Sequence, residues 1–130
     1  MTSYTQLQRD AQSCQRWNRL HPTLPARRSF LEETLDGRKG PFIAASDYVR
    51  AVPEQVAPFV PGSFYALGTD GMGRSEDRST LRRHFEVDAE CIALAAMYQL
   101  SLQGDVSKQR VAEAIQELGV DPDKIDPLYA

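Results

Sequence analysis

Four arginines and a histidine stand close together in one short stretch of the chain: Arg74, Arg78, Arg82, Arg83 and His84. Residues four apart on a helix share a face, so Arg78 and Arg82 would point in the same direction. Guanidinium groups bind carboxylates through parallel, charge-assisted hydrogen bonds. We therefore predict that these five residues form an interface, which is either a solvated or subunit-facing surface or a site that holds an acidic group.

The other reactive side chains do not form a catalytic set. His84 and Glu86 are two apart and lie on different sides of a helical turn, and His21 is the only other histidine. Cys14 and Cys91 belong to no CxxC pair, which predicts two reduced thiols and neither a disulfide nor a zinc site. No Ser-His-Asp or Cys-His arrangement follows from the spacing. We predict no catalytic, cofactor-binding or metal-binding residue in this chain.

A glycine-rich loop precedes the basic stretch, with Gly68, Gly71 and Gly73 following an apolar run. Phosphate-binding loops occur in such a place, but the spacing matches neither GxGxxG nor GxxxxGKS/T. We predict that Gly71 and Gly73 form a structural turn in which one of them has a positive φ, with a phosphate site as the alternative. Gly71→Val should then destabilise the turn without removing any bound ligand.

The composition is that of a soluble globular domain. The chain has 130 residues, 42% of them hydrophobic, and a formal net charge of -3 from 15 basic and 18 acidic side chains. This charge gives no electrostatic case for nucleic acid or a membrane surface. No apolar stretch approaches the roughly 20 residues of a membrane span, and the first residues lack the pattern of a secretory signal. We predict a cytoplasmic protein without nucleic-acid or membrane partners.

Apolar spacing predicts helices at both ends of the chain. The predicted segments are a helix over residues 5–20 with Thr5 as N-cap, a short helix over 29–35, a turn over 47–52 with a new helix starting at Pro53, a helix over 89–103 capped by Asp88, and a last helix capped by Ser107 that stops at Gly119. The helix over 89–103 is apolar nearly all round, which predicts that it is largely buried.

Two short apolar runs predict the strands. Residues 42–45 and 64–69 are apolar on both faces, which is typical of a parallel sheet covered by helices. We expect them to be neighbouring parallel strands joined by the helical segment over 47–60. The fold class is therefore α/β, with a mostly parallel sheet flanked by helices. Residues 120–130 have no periodicity and are predicted to be a surface tail.

Three sequence blocks carry a resemblance to a known family. They are residues 2–22 (TSYTQLQRDAQSCQRWNRLHP), residues 42–48 with 54–56, and the stretch GTDGMGRSEDRSTLRRHFEVDA over 68–89. Their order and spacing resemble the carboxy-terminal end of the homodimeric bacterial pyruvate dehydrogenase E1 component. The resemblance covers nearly the whole chain and extends to the closing VDPDKIDPLYA.

The resemblance implies a three-layer, transketolase-type carboxy-terminal domain over residues 1–130. Met1 stands where a second strand of that domain would be ending, which implies that the N-terminal strands are missing. In such enzymes other domains bind thiamine diphosphate and magnesium, decarboxylate pyruvate and reductively acetylate lipoyl groups. No catalytic residue of the family can be placed here, because Asp70-Gly71 lacks the preceding glycine and the downstream asparagine of the family's GDG motif.

Two functions follow as expectations. The first is a non-catalytic, dimer-stabilising domain of an E1 enzyme of pyruvate metabolism and glycolysis, with the catalytic domains, the dimer mate and the multienzyme complex as partners and no cofactor in this chain. The second is a stand-alone interaction module that binds an acidic protein through residues 74–83.

Overall fold

The computed structural model describes residues 3–130. The predicted end of an upstream strand at Met1 lies outside the described residues. The elements in chain order are α1 (Tyr4–Leu20), α2 (Phe30–Thr34), β1 (Phe42–Ala45), α3 (Ala51–Glu54), a 3-10 turn (Ala57–Phe59), β2 (Phe64–Leu67), α4 (Arg78–His84), α5 (Ala89–Gln103), α6 (Lys108–Glu117) and a second 3-10 turn (Pro127–Tyr129). No helix within the described residues is long and apolar enough to cross a bilayer.

The sheet consists of two parallel strands, as predicted. β1 and β2 pair in parallel, with Phe42 opposite Phe64 and Ala45 opposite Leu67. β2 ends two residues earlier than expected because the Thr69 amide donates to the Tyr48 carbonyl at 3.0 Å, outside the strand pair. Ala44 and Ala66, which share one face of the sheet, are both buried. The chain is therefore an α/β protein with a small sheet.

The helix α1 begins earlier than the sequence predicts. Ser3, not Thr5, is the N-cap, because its extended backbone places the side-chain oxygen 3.2 Å from the Gln6 amide. The helix then runs to Leu20 and packs against α2. Between them the Asp10 carboxylate accepts a hydrogen bond from the Phe30 amide at 2.8 Å. The predicted short helix is confirmed as α2, where Ser29 and Glu32 form a capping box.

The connection between the strands contains less regular helix than predicted. α3 starts at Ala51, and Pro53 is its third residue, so the prediction of Pro53 as the first helical residue is wrong. Amides in the first helical turn have no partner within the helix, so proline's missing N–H costs nothing at this position. The chain then forms the 3-10 turn at Ala57–Phe59. Pro53 and Val56, which precede this turn, are fully buried.

The helix α5 has the predicted bounds but not the predicted burial. Its N-cap Asp88 accepts from the Cys91 amide at 2.9 Å, and it packs against both strands and α6. Only Cys91, Gln99 and Ser101 are buried among its residues. Tyr98 is 49% exposed and Leu102 58% exposed. The prediction of a largely buried helix is wrong, because two strands and one neighbouring helix cover only part of its circumference.

The helix α6 and the segment after it close the chain. Ser107 accepts from the Arg110 amide at 3.1 Å, which confirms the predicted cap. Residues 120–130 run back over the rest of the molecule and include the 3-10 turn at Pro127–Tyr129. Most of this segment is exposed, but Pro127 is buried.

Candidate functional site

The glycine-rich loop is held between two other segments of the chain. A Cβ on Gly68 would lie 2.6 Å from both the Tyr48 carbonyl oxygen and the Arg50 amide nitrogen. Gly71 has φ 105°, in the left-handed region that favours glycine, and a Cβ there would lie 2.1 Å from the Pro127 carbonyl oxygen. Gly73 is not in that region, and a Cβ there would meet nothing within 4 Å. The close packing of this loop therefore rests on Gly68 and Gly71.

A partly exposed ion pair between Arg50 and Asp70 fixes the same loop. One carboxylate oxygen of Asp70 accepts from the Arg50 backbone amide at 3.1 Å and from the Arg50 guanidinium at 2.9 Å. The hydroxyl of Thr69 donates to the Asp47 carbonyl at 2.8 Å. Sequence reasoning missed Arg50 as a partner of Asp70, because the two residues are brought together only by the pairing of β1 and β2.

The basic helix α4 starts at a fully engaged carboxylate. Asp77 accepts from the Ser79 amide at 2.9 Å and the Thr80 amide at 3.0 Å, and from both hydroxyls. The hydroxyl hydrogen bonds from Ser79 and Thr80, followed by the backbone ones, hold the pKa of Asp77 well below its usual value. This carboxylate is ionised at neutral pH and serves as a helix cap.

The five predicted interface residues divide into two groups. Arg83 forms salt bridges with Asp88 and with Glu90, the latter at 3.4 Å. The Arg83 Nη1 and His84 Nε2 atoms are buried and have no hydrogen-bond partner. Burial, followed by the charges of Arg74 and Lys124, lowers the pKa of His84. His84 is thus turned toward the protein, whereas the Arg83 side chain is 41% exposed and is engaged by Asp88 and Glu90.

The other three arginines have no acidic partner. Within residues 3–130, none of the salt bridges involves Arg74, Arg78 or Arg82. All three line one cavity of about 360 Å³ between α4 and the glycine-rich loop, together with Leu81, Phe85 and Val87 among others. A second cavity of about 1180 Å³ continues past Arg78 and Arg82 toward the start of α5.

A lysine from the last segment closes the end of α4. The Lys124 ammonium donates to the Arg83 carbonyl at 3.3 Å, to the His84 carbonyl and to the Glu86 carboxylate at 3.1 Å. A cation at a helix C-terminus satisfies carbonyls that have no partner within the helix. Sequence reasoning missed this contact, since no local pattern connects Lys124 to a helix about 40 residues earlier.

The remaining reactive side chains are held in structural positions. Both cysteines are free, and Cys91 is buried. Burial, with a hydrogen bond and the negative charge of Asp88, raises the pKa of Cys91 to about 12, so its thiol is protonated at neutral pH. Residues 3–130 bring together no group of three or more side chains suited to holding a metal ion.

Comparison with known proteins identifies what this chain resembles as a whole. It is 47% identical over 127 residues to a pyruvate dehydrogenase E1 component of Pseudomonas aeruginosa, which is 97% of this chain and 14% of the relative. The chain is homologous to a segment of pyruvate dehydrogenase E1 components. This confirms the resemblance seen in its three sequence blocks.

Other E1 components match over the same extent. The Cupriavidus necator E1 component is 45% identical over 126 residues, or 97% of this chain, and that of Escherichia coli K12 is 43% identical over 131 residues, or 100% of this chain. The chain spans 14% of the length of each of these relatives. No family model matches the chain.

Proposed function

We propose that this chain is the carboxy-terminal, non-catalytic part of a pyruvate dehydrogenase E1 enzyme, with a transketolase-type architecture. The enzyme as a whole would decarboxylate pyruvate and reductively acetylate lipoyl groups. The observation that carries the proposal is identity of 39–47% to E1 components along 97–100% of this chain. The alignment covers nearly the whole of this chain but only 14% of each of the first three relatives, which supports the assignment of the chain as one part of a larger enzyme.

The roles of the ionisable side chains support a non-catalytic part. The carboxylates of Asp77 and Asp88 cap helices, and that of Asp70 is held by Arg50. The Cys91 thiol, with its pKa of about 12, is not a nucleophile at neutral pH. None of these groups is left free to accept or donate a proton in a reaction.

Thiamine diphosphate and magnesium would be bound by other parts of the enzyme. Magnesium sites combine carboxylate oxygens with phosphate oxygens and water. Asp47 is the carboxylate that lines the cavity beside Arg74, Arg78 and Arg82. The carboxylates of the adjoining cavity are engaged elsewhere: those of Asp77 and Asp88 cap helices, and that of Glu90 pairs with Arg83. We therefore assign this chain no role in holding the cofactor.

The exposed apolar side chains support a packing role. Tyr98 and Leu102 lie one helical turn apart on α5, and Tyr65 on β2 is 39% exposed. Tyr65 and Tyr98 line one small cavity with Leu94. Exposed apolar patches mark contacts with other protein surfaces. We propose that this face of the chain packs against the remainder of the enzyme and so stabilises its dimer.

Calorimetry tests the non-catalytic assignment. Thiamine diphosphate with Mg²⁺ is titrated into this chain, with Mg²⁺ alone as the reference, and we expect no saturable heat. Saturable binding of the cofactor would overturn the assignment.

Sedimentation tests the packing role. We expect weak self-association of the isolated chain through its exposed apolar face, and the double variant Tyr98→Ser with Leu102→Ser should sediment more nearly as a monomer. The matched control is Ala112→Ser, an exposed position on α6. Self-association that is unchanged in the double variant, or absent from the unmodified chain, would contradict the packing role.

A further inference from the structure

The three unpaired arginines surround an apolar floor. Arg74, Arg78 and Arg82 line the cavity of about 360 Å³, and Leu81 and Phe85 line it with them. We call this cavity the arginine cleft. Leu81 and Phe85 are half-buried, so part of their apolar surface faces the cleft. A ligand that fits must therefore combine negative charge with an apolar group.

The positive charge of the cleft is not neutralised by the chain itself. Asp47 is the only carboxylate among the side chains that line it, against the three arginines. Of the neighbouring acidic residues, Asp88 and Glu90 pair with Arg83, and Asp77 caps α4, where it keeps its negative charge. The excess of positive charge in the lining of the cleft, within a chain of net charge -3, favours an acidic partner.

The size of the surface favours a polypeptide over a small ligand. Arg78, Arg82, Asp47 and Val87 line both the arginine cleft and the second cavity, so the two are continuous. The second cavity alone, about 1180 Å³, exceeds the roughly 300–1,000 Å³ of small-molecule sites. It is also lined by Arg83 and by the carboxylates of Asp77, Asp88 and Glu90, so the excess of positive charge belongs to the arginine cleft and not to the second cavity. Two large apolar side chains that are adjacent in sequence to residues lining the cleft are strongly exposed: Tyr48 at 70% and Met72 at 76%.

We propose that the arginine cleft binds an acidic polypeptide segment. Its carboxylates pair with Arg74, Arg78 and Arg82, and one of its apolar side chains rests on Leu81 and Phe85. Arg83 and His84 take no part, because their polar groups are engaged or enclosed within the chain. The inference is argued from the residues that line the cleft and does not use the proposed function.

The experiment uses a fluorescein-labelled ten-residue peptide of alternating Glu and Leu, whose binding to the full chain is read by fluorescence anisotropy. The matching Gln-Leu peptide is the uncharged probe. We expect saturable binding of the Glu-Leu peptide that weakens as salt screens the charges, and at least about tenfold weaker binding of the Gln-Leu peptide. The triple variant Arg74→Gln, Arg78→Gln and Arg82→Gln should weaken Glu-Leu binding by a similar factor.

The matched control replaces the exposed arginines of α1, Arg9, Arg16 and Arg19, with glutamine. It removes the same charge elsewhere and should change the affinity by less than about twofold. Circular dichroism is used to check that both triple variants are folded, and the comparison of the two peptides on the unmodified chain needs no variant.

Three results would overturn the proposal. They are equal binding of the Gln-Leu and Glu-Leu peptides, equal weakening by the two triple variants, and full displacement of the Glu-Leu peptide by free glutarate at equal carboxylate concentration. The last would assign the cleft to a small dicarboxylate. None of these results bears on the calorimetric test of thiamine diphosphate binding.

Discussion

Replacing Gly71 with alanine should detach the last segment of the chain from the glycine-rich loop. The new Cβ would lie 2.1 Å from the Pro127 carbonyl oxygen and 3.2 Å from the Leu128 Cα, both backbone atoms that no side-chain rotation can move aside. The backbone at Gly71, with φ 105°, is also one that side chains other than glycine's rarely adopt. Strain and displacement therefore act together.

The magnitude follows from these two causes. A residue with a side chain in such a backbone conformation costs about 1–3 kcal/mol. Moving Pro127 out of its buried position exposes ring methylenes, each worth about 0.8 kcal/mol. Together they predict that Gly71→Ala lowers the free energy of unfolding by roughly 2–4 kcal/mol, a large share of the roughly 5–15 kcal/mol of a typical domain.

Urea unfolding followed by circular dichroism measures this loss. With a slope typical of small proteins, the midpoint for Gly71→Ala should fall by about 1–2 M urea. The matched control is Gly73→Ala, because a Cβ at Gly73 meets nothing within 4 Å and its φ lies outside the left-handed region. It should change stability by less than about 0.5 kcal/mol.

A shortened chain separates strain from displacement. In a variant that ends at Val120, Pro127 is gone, so Gly71→Ala should cost at least about 1 kcal/mol less than in the full chain. If Gly71→Ala and Gly73→Ala have the same midpoint within error, the packing of Pro127 against Gly71 does not stabilise the protein and the reasoning fails.

Three further predictions concern other local contacts. In the capping box of α2, Ser29→Ala should cost about 1 kcal/mol through loss of the cap, with Ser13→Ala as an exposed control. Hydrogen bonds from the Ser29 amide and hydroxyl lower the pKa of Glu32 from 4.5, so the stabilisation that Glu32 gives is present above that pH and is lost as the pH falls through the lower pKa of the folded state. This pH-dependent loss of stability should be absent from the acid titration of Glu32→Gln. In a Cys14→Ser background, Cys91 should react with a disulfide reagent at pH 8 only as the protein unfolds, because its pKa is about 12; rapid labelling of the folded protein would contradict its burial. Arg27→Met should lower the free energy of unfolding by about 0.5–1 kcal/mol and alter the fluorescence emission of Trp17, the only tryptophan, because the Arg27 guanidinium lies 4.1 Å from the centroid of the Trp17 ring. The control Arg16→Met should leave that emission unchanged.

The helix termini could be predicted wherever the cap and its amide lie within a few residues. Asp88 and Ser107 were identified correctly from the sequence because each accepts from an amide three residues later. The same rule failed at α1, where Ser3 and Thr5 are both suitable caps and only the backbone conformation of Ser3 selects between them. At Pro53 the preference for the first helical position was overridden by the packing that buries this proline.

The sequence points to the stretch that contains the candidate site but does not distinguish the roles of its individual arginines. The basic stretch and the glycines before it are visible in the residue types alone. Nothing in the sequence separates Arg82 from Arg83, its neighbour in the chain. Within residues 3–130, however, Arg82 forms no salt bridge, whereas Arg83 pairs with Asp88 and Glu90. Adjacent residues on a helix point about 100° apart, so the surrounding elements decide which of them finds an acidic partner.

The sequence by itself determined the long helices α1, α5 and α6, the parallel pairing of the two strands, and the kinship with E1 components. These depend on apolar periodicity and on contacts a few residues apart. Only the tertiary structure decided that Lys124 closes α4, that Pro127 rests against Gly71, and that α5 keeps Tyr98 in solvent. Such contacts join residues far apart in the chain, and their geometry is set by the packing of all the elements together.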